Sequence, residues 1–125
     1  MAWAEAKFKE LGFDKVWKEP VTYPSWTRGV EKAEIVVPFP QPLSITALGN
    51  SVATPKNGLR AELVEFANLK EMMAAPDEKV QGKIVFINHR MQNSNEYGLV
   101  VPGRSAGASE AARKGAVAIV IRSVG

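Results

Sequence analysis

Residues 116–121, Ala-Val-Ala-Ile-Val-Ile, constrain this chain most. Six consecutive apolar residues of this kind predict a strand buried on both faces, as in a parallel sheet. Upstream, Gly82-Lys-Ile-Val-Phe-Ile-Asn88 reads as another strand, entered through a glycine. Between them, residues 104–114 read as a helix on which Ala106, Ala108, Ala111 and Ala112 offer a smooth packing surface. Gly115 is placed to stop that helix. Strand, helix and strand in this order predict a right-handed βαβ unit, so the C-terminal part is of α/β type.

The preceding residues carry weaker patterns. Residues 3–11 predict a short amphipathic helix, with Trp3, Phe8 and Leu11 on one face and Gly12 as its stop. Residues 16–22 suit extended backbone, and Pro20 confines them to an edge or a break. Residues 34–39 predict a strand ended by Pro38, Pro40 and Pro42, and residues 43–48 alternate like a half-buried strand. Asn57-Gly58 marks a hairpin or tight turn, with residues 59–66 as the returning strand. Residues 69–75 predict a short helix capped by Asn68, with Glu71 in the capping-box position and Pro76 as the stop.

A length of 125 residues fits one domain, and 46% hydrophobic residues can build a core. The net charge is +3, but Lys and Arg alternate with Glu and Asp along the chain. That pattern predicts a solvated mixed surface rather than the basic stripe of a nucleic-acid binder. With no cysteine, disulfides and thiolate metal sites are excluded, though this does not fix the compartment. No stretch approaches the ~20 apolar residues of a membrane helix, so neither nucleic acid nor membrane is expected as a partner. The N-terminus carries charge by Glu5 and has no apolar signal core.

Catalytic motifs are incomplete. Gly103-Arg-Ser105-Ala-Gly107 matches the GxSxG pattern, which needs a downstream histidine and an acid to orient it. The one histidine, His89, lies upstream, and after Ser105 the one acid is Glu110. Ser105 or Ser109 therefore reads as a cap or first-turn residue of a helix. A zinc site commonly draws on more than one histidine, and the acidic residues here are scattered. No catalytic or metal residue is assigned. The segment that stands out is Asn88-His-Arg-Met-Gln-Asn-Ser-Asn-Glu-Tyr97, continuing to Arg104. It leaves the carboxyl end of a predicted strand, where ligands of open α/β sheets tend to sit. His89, Arg90, Asn93, Asn95, Tyr97 and Arg104 are its candidate contacts with substrate or a neighbouring domain, against the simpler reading of a polar surface loop.

Seven scattered pieces together carry a resemblance: Glu19-Pro-Val21; Ser25-Trp-Thr-Arg-Gly29; Leu48-Gly-Asn-Ser51 with Thr54-Pro55 and Gly58; Gly82-Lys-Ile-Val85; Gly107-Ala108 with Ala111-Ala112; Gly115-Ala116; and Ile121-Arg-Ser-Val124. In their order and spacing they resemble the protease-associated domain of the carboxypeptidase Q-like (plasma glutamate carboxypeptidase-like) two-zinc peptidases, relatives of glutamate carboxypeptidase II and the transferrin receptor. The resemblance implies a β-rich α/β domain: a small sheet or open barrel, a C-terminal βαβ unit and short flanking helices. Residues 1–18 would be an orphaned edge of the peptidase domain. Residues 19–125 would be the protease-associated domain, cut short at its C-terminal end.

The implied role is non-catalytic: covering the active-site cleft, contributing to peptide access and selection, or supporting dimerisation. The implied partners are the chain's own peptidase domain, peptide substrate and a second copy. Two zinc ions belong to the parent peptidase domain, whose ligands lie outside this chain, and the implied location is periplasmic or secreted. Two other readings stay open at this point. One is a self-sufficient peptide-binding or self-associating module, with Trp3, Phe8 and Trp17 uncovered; the other is a serine hydrolase at Ser105.

Overall fold

The computed structural model describes residues 1–123. Val124 and Gly125, which end the expected domain and the Ile121-Arg-Ser-Val124 motif, lie outside the described residues. The chain forms two compact units, residues 1–53 and residues 54 onward. The expected boundary at 18/19 falls inside the first.

The first unit holds α1 (Ala2–Glu10), β1 (Ala33–Ile35) and β2 (Gln41–Leu43). Gly12, at φ +78°, ends the helical region as expected. α1 buries no residue, and on its predicted apolar face Phe8 packs edge-on against Phe13, ring centroids 5.3 Å apart, while Trp3 and Leu11 stay exposed. Residues 16–22 form no strand. β1 and β2 pair antiparallel, Ala33 opposite Leu43 and Ile35 opposite Gln41. The two predicted strands at 34–39 and 43–48 thus shorten to three residues each, displaced toward the N-terminus. The reason is the proline cluster, since Pro38 and Pro40 carry no amide N–H to donate to a ladder between the two strands.

The pieces Ser25–Gly29 and Leu48–Ser51 meet through hydrogen bonds. Trp26 Nε1 donates to the Ser51 carbonyl at 2.9 Å, and Arg28 Nη2 to the Ala47 carbonyl at 2.8 Å. Glu31 accepts from the Ala47 amide at 2.6 Å and pairs with Arg28 at 3.1 Å. No residue among these first 53 is buried.

The second unit holds β3 (Leu63–Phe66), α2 (Leu69–Ala74), β4 (Ile84–Ile87), α3 (Tyr97–Ser105), α4 (Gly107–Arg113) and β5 (Ala118–Ile121), with single 3-10 turns at Asp77–Lys79 and Ser94–Glu96. The sheet has the order β3-β4-β5 and is parallel throughout, without closing into a barrel. The predicted βαβ unit is present as β4, α3–α4, β5. β3, α2 and β4 form a second such unit. Residues 59–66 were expected as the returning arm of a hairpin; instead β3 pairs parallel with β4, Val64 opposite Val85. Asn57-Gly58 still makes a tight turn, with the Gly58 amide bonded to the Pro55 carbonyl at 2.8 Å.

The expected cap on α2 forms, with its return bond one residue before the position a capping box uses. Asn68 Oδ1 accepts from the Glu71 amide at 2.9 Å, and the Glu71 carboxylate reaches back to the Ala67 amide at 2.8 Å. α2 and α4 touch each other, so both crossovers cover one sheet face. There Phe66, Met72, Val80, Val85, Ile87 and Ala111 form the core, flanked by Val64, Ile119 and Ile121. Lys114 ties the end of α4 to the end of α2, donating to the Ala75 carbonyl and pairing with Asp77, both at 2.7 Å. The opposite face carries Leu63, Ile84, Phe86, Ala118 and Val120, none of them buried.

Two expectations are corrected. The strand at 116–121 is not buried on both faces: β5 is the edge strand, and all four of its residues are only partly buried. The single helix at 104–114 is two helices broken at Ala106. At the break Gly107 is buried, and a Cβ there would stand 3.1 Å from Ile119 Cδ1. The second helix thus starts in close contact with the sheet.

Candidate functional site

The three parallel strands end at one edge, and each supplies one polar side chain there. Side chains alternate along a strand. Glu65, Asn88 and Arg122 therefore project from the face opposite the helices, in line with Leu63, Phe86 and Val120. Asn88 Nδ2 donates to Glu65 Oε1 at 2.5 Å, and Arg122 Nε donates to Asn88 Oδ1 at 2.5 Å. The backbone runs in step, with the Asn88 amide bonded to the Phe66 carbonyl at 2.8 Å and the Arg122 amide to the Ile87 carbonyl at 2.9 Å. The sequence reading missed this ladder. Its signal was available: a polar residue near the end of each apolar strand.

From Asn88 the chain runs without regular structure to Asn93. The loop expected over 88–104 is therefore short. Its second half is the 3-10 turn and α3, because Asn93 caps: its Oδ1 accepts from the Asn95 amide at 3.0 Å. Glu96 closes the turn, accepting from the Gln92 amide at 2.6 Å and from Asn93 Nδ2 at 3.2 Å.

The six expected contact residues separate accordingly. His89 is half-buried and Arg90 exposed, and neither side chain has an intramolecular partner among the described residues. Asn93 is spent on the cap, and Asn95 lies exposed in the turn. Tyr97 and Arg104 stand at the start and in the last turn of α3, both exposed. Seven positions apart, they share one side of the helix, about 10 Å from each other along its axis. His89 and Arg90 leave the sheet edge directly; the structure does not gather all six into one pocket.

Ser105 closes α3 rather than opening a helix. Its Oγ donates to the Val101 carbonyl at 3.3 Å. This replaces the expected cap role and lacks the strand-to-helix elbow a nucleophilic serine requires. Ser109 does stand in the first turn of α4. Among the described residues no three His, Asp or Glu side chains gather as a metal site. The residues present do not fit zinc.

No family model matches the chain. Individual proteins do. It is 40% identical to carboxypeptidase Q of Xenopus laevis over 124 residues, 99% of this chain and 26% of that protein. It is 43% identical to the rat carboxypeptidase Q over 113 residues and 40% identical to the human one, in each case across 90% of the chain. Among solved structures, a peptidase M28 precursor from Shewanella amazonensis SB2B superposes with a TM-score of 0.77 at 51% identity, across 99% of this chain and 29% of that one. Nearly the whole chain is thus similar to one stretch of carboxypeptidase Q and of this M28 peptidase. The chain spans about a quarter of the length of the relatives it matches. Among the described residues no helix is long and apolar enough to cross a membrane.

Proposed function

We propose that this chain is the protease-associated domain of a zinc-dependent exopeptidase, and that it shapes peptide access to an active site carried by the rest of the parent protein. The observation that carries this reading is the match itself. Nearly the whole chain aligns with about a quarter of carboxypeptidase Q, while no metal-ligand group gathers among its described residues. The hydrolytic machinery and two zinc ions then belong to the remaining sequence. Residues 19–125 would be the accessory domain, and residues 1–18 the edge of the peptidase portion.

The surface of the first unit supports a covering partner. Trp3, Phe8, Phe13 and Trp17 are 78%, 47%, 59% and 64% exposed, more aromatic surface than an isolated unit usually leaves in water. Phe8, Phe13, Lys15, Val16 and Trp17 line a groove there. On this reading the peptidase domain covers these residues, and the sheet-edge segment with His89, Arg90, Tyr97 and Arg104 faces peptide substrate. A periplasmic or secreted location accompanies the proposal.

The test is direct. The chain alone should hydrolyse no dipeptide and hold no stoichiometric zinc by elemental analysis, whereas the full-length protein should hydrolyse dipeptides and hold zinc. Robust hydrolysis by the purified chain, surviving removal of contaminants, would refute the accessory role. The exposed aromatic surface also favours a second reading, self-association of the chain by itself. Light scattering across concentrations that returns a clean 13.6 kDa monomer counts against that one.

A further inference from the structure

We infer that Glu65, Asn88 and Arg122 act as one positioning device, setting the direction in which residues 88–97 leave the sheet and so where His89 and Arg90 are presented. The inference rests on the proposed reading only in its last step, that this segment meets substrate.

Three observations carry it. The ladder spans all three strands: Glu65 near the end of β3, Asn88 just past β4, Arg122 just past β5. Each outer residue comes from a different strand end, so the pair holds Asn88 from both sides at 2.5 Å. The chemistry is also directional. A carboxylate can only accept and a guanidinium can only donate, so the Asn88 amide has one orientation that satisfies both neighbours. Finally, the held residue is the last fixed point before the free stretch. Beyond it, the chain is next fastened at Gln92 and Asn93, through Glu96 and the Asn93 cap. His89 and Arg90 lie between these two anchors with no intramolecular partner among the described residues. Their freedom to engage a ligand, and the place from which they do so, are then set by side chains that need not touch the ligand. Glu65 and Arg122 are positioning residues by this argument, acting through Asn88.

Directionality supplies a test with a built-in rescue. Reversing one charge, Glu65→Arg or Arg122→Glu, leaves Asn88 between two like partners, and its amide can satisfy only one. Reversing both restores a donor and an acceptor, and the amide satisfies them by flipping. In the chain, backbone amide NMR shifts of residues 88–97 should move in each single variant, those of α2 and α4 should stay, and the double variant should bring the segment back. Unmoved shifts in the single variants, or a double variant no better than the singles, overturn the device.

In the full-length protein, assayed on a panel of unblocked dipeptides, each single reversal should raise KM about threefold to tenfold with kcat unchanged, the size of one lost hydrogen bond. The double variant should recover it. A segment that moves while KM stays constant overturns the link to substrate and leaves the ladder standing. A full-length protein that hydrolyses no dipeptide overturns the peptidase reading instead, and the NMR result then judges the ladder alone.

Discussion

Gly115 sits at φ +79°, and a Cβ there would also come within 3.1 Å of Gln81 Cγ. Left-handed backbone is costly for any residue with a Cβ. Gly115→Ala should therefore lower stability by about 1–2 kcal/mol in urea unfolding. Gly103 is the opposite case. It lies inside α3 with ordinary helical backbone, and a Cβ would meet Ile87 Cγ2 at 3.6 Å, a normal contact distance. Gly103→Ala should raise stability by roughly 0.5–1 kcal/mol by the same measurement, since alanine limits the unfolded chain and favours helix.

Charge at single residues is also readable. The Lys18 ammonium, joined by that of Lys9, holds the Glu5 carboxyl down from 4.5 to about 2. Because the folded value lies below the unfolded one, the pair's contribution is present above about 4.5 and fades as pH falls toward 2. In Lys18→Ala the Glu5 carboxyl should titrate closer to 4.5, as followed by its side-chain carbon shift.

At the scale of elements, α2 shows how much local signal the sequence held. Six residues are too few to form a helix without help. Asn68 and Glu71 supply the cap, and Met72, fully buried, supplies the packing. Asn68→Ala should cost about 1 kcal/mol through the lost cap. Met72→Ala should cost about 2–5 kcal/mol through the cavity left under the sheet, both read from denaturant midpoints at unchanged slope. The cap was legible because capping depends on residues three apart. The pairing of β3 was not legible. A strand read beside a tight turn suggests a hairpin, and only the partner on the far side of α2 makes it parallel.

The whole molecule divides unequally. Every buried hydrophobic residue lies in the second unit, whose sheet is covered by helices on one face. The first unit is joined by the hydrogen bonds of Trp26, Arg28 and Glu31 and has no buried residue. A unit without a core gains little from burial. Thermal unfolding followed through Trp26 and the other indoles, all of which lie in this unit, should begin below the transition followed by far-UV circular dichroism of the sheet and helices. In the full-length protein the two should coincide, as expected if the proposed peptidase domain covers the aromatic residues of the first unit.

By itself the sequence determined what local rules govern. These are the C-terminal strand–helix–strand order, the stops at Gly12 and Gly115, the capped helix after Asn68, and the absence of a paired nucleophile or a histidine-rich metal set. Tertiary structure decided what depends on neighbours distant in the chain. The strand at 118–121 is apolar on both faces, yet whether both are covered depends on what packs above and below the sheet, and both crossovers lie on one face. The helix at 104–114 is broken at Ala106, beside a glycine whose site leaves little room for a Cβ next to Ile119. The segment after β4 takes its starting direction from Glu65 and Arg122, which lie 23 and 34 residues away in sequence and meet Asn88 only once three parallel strands stand side by side.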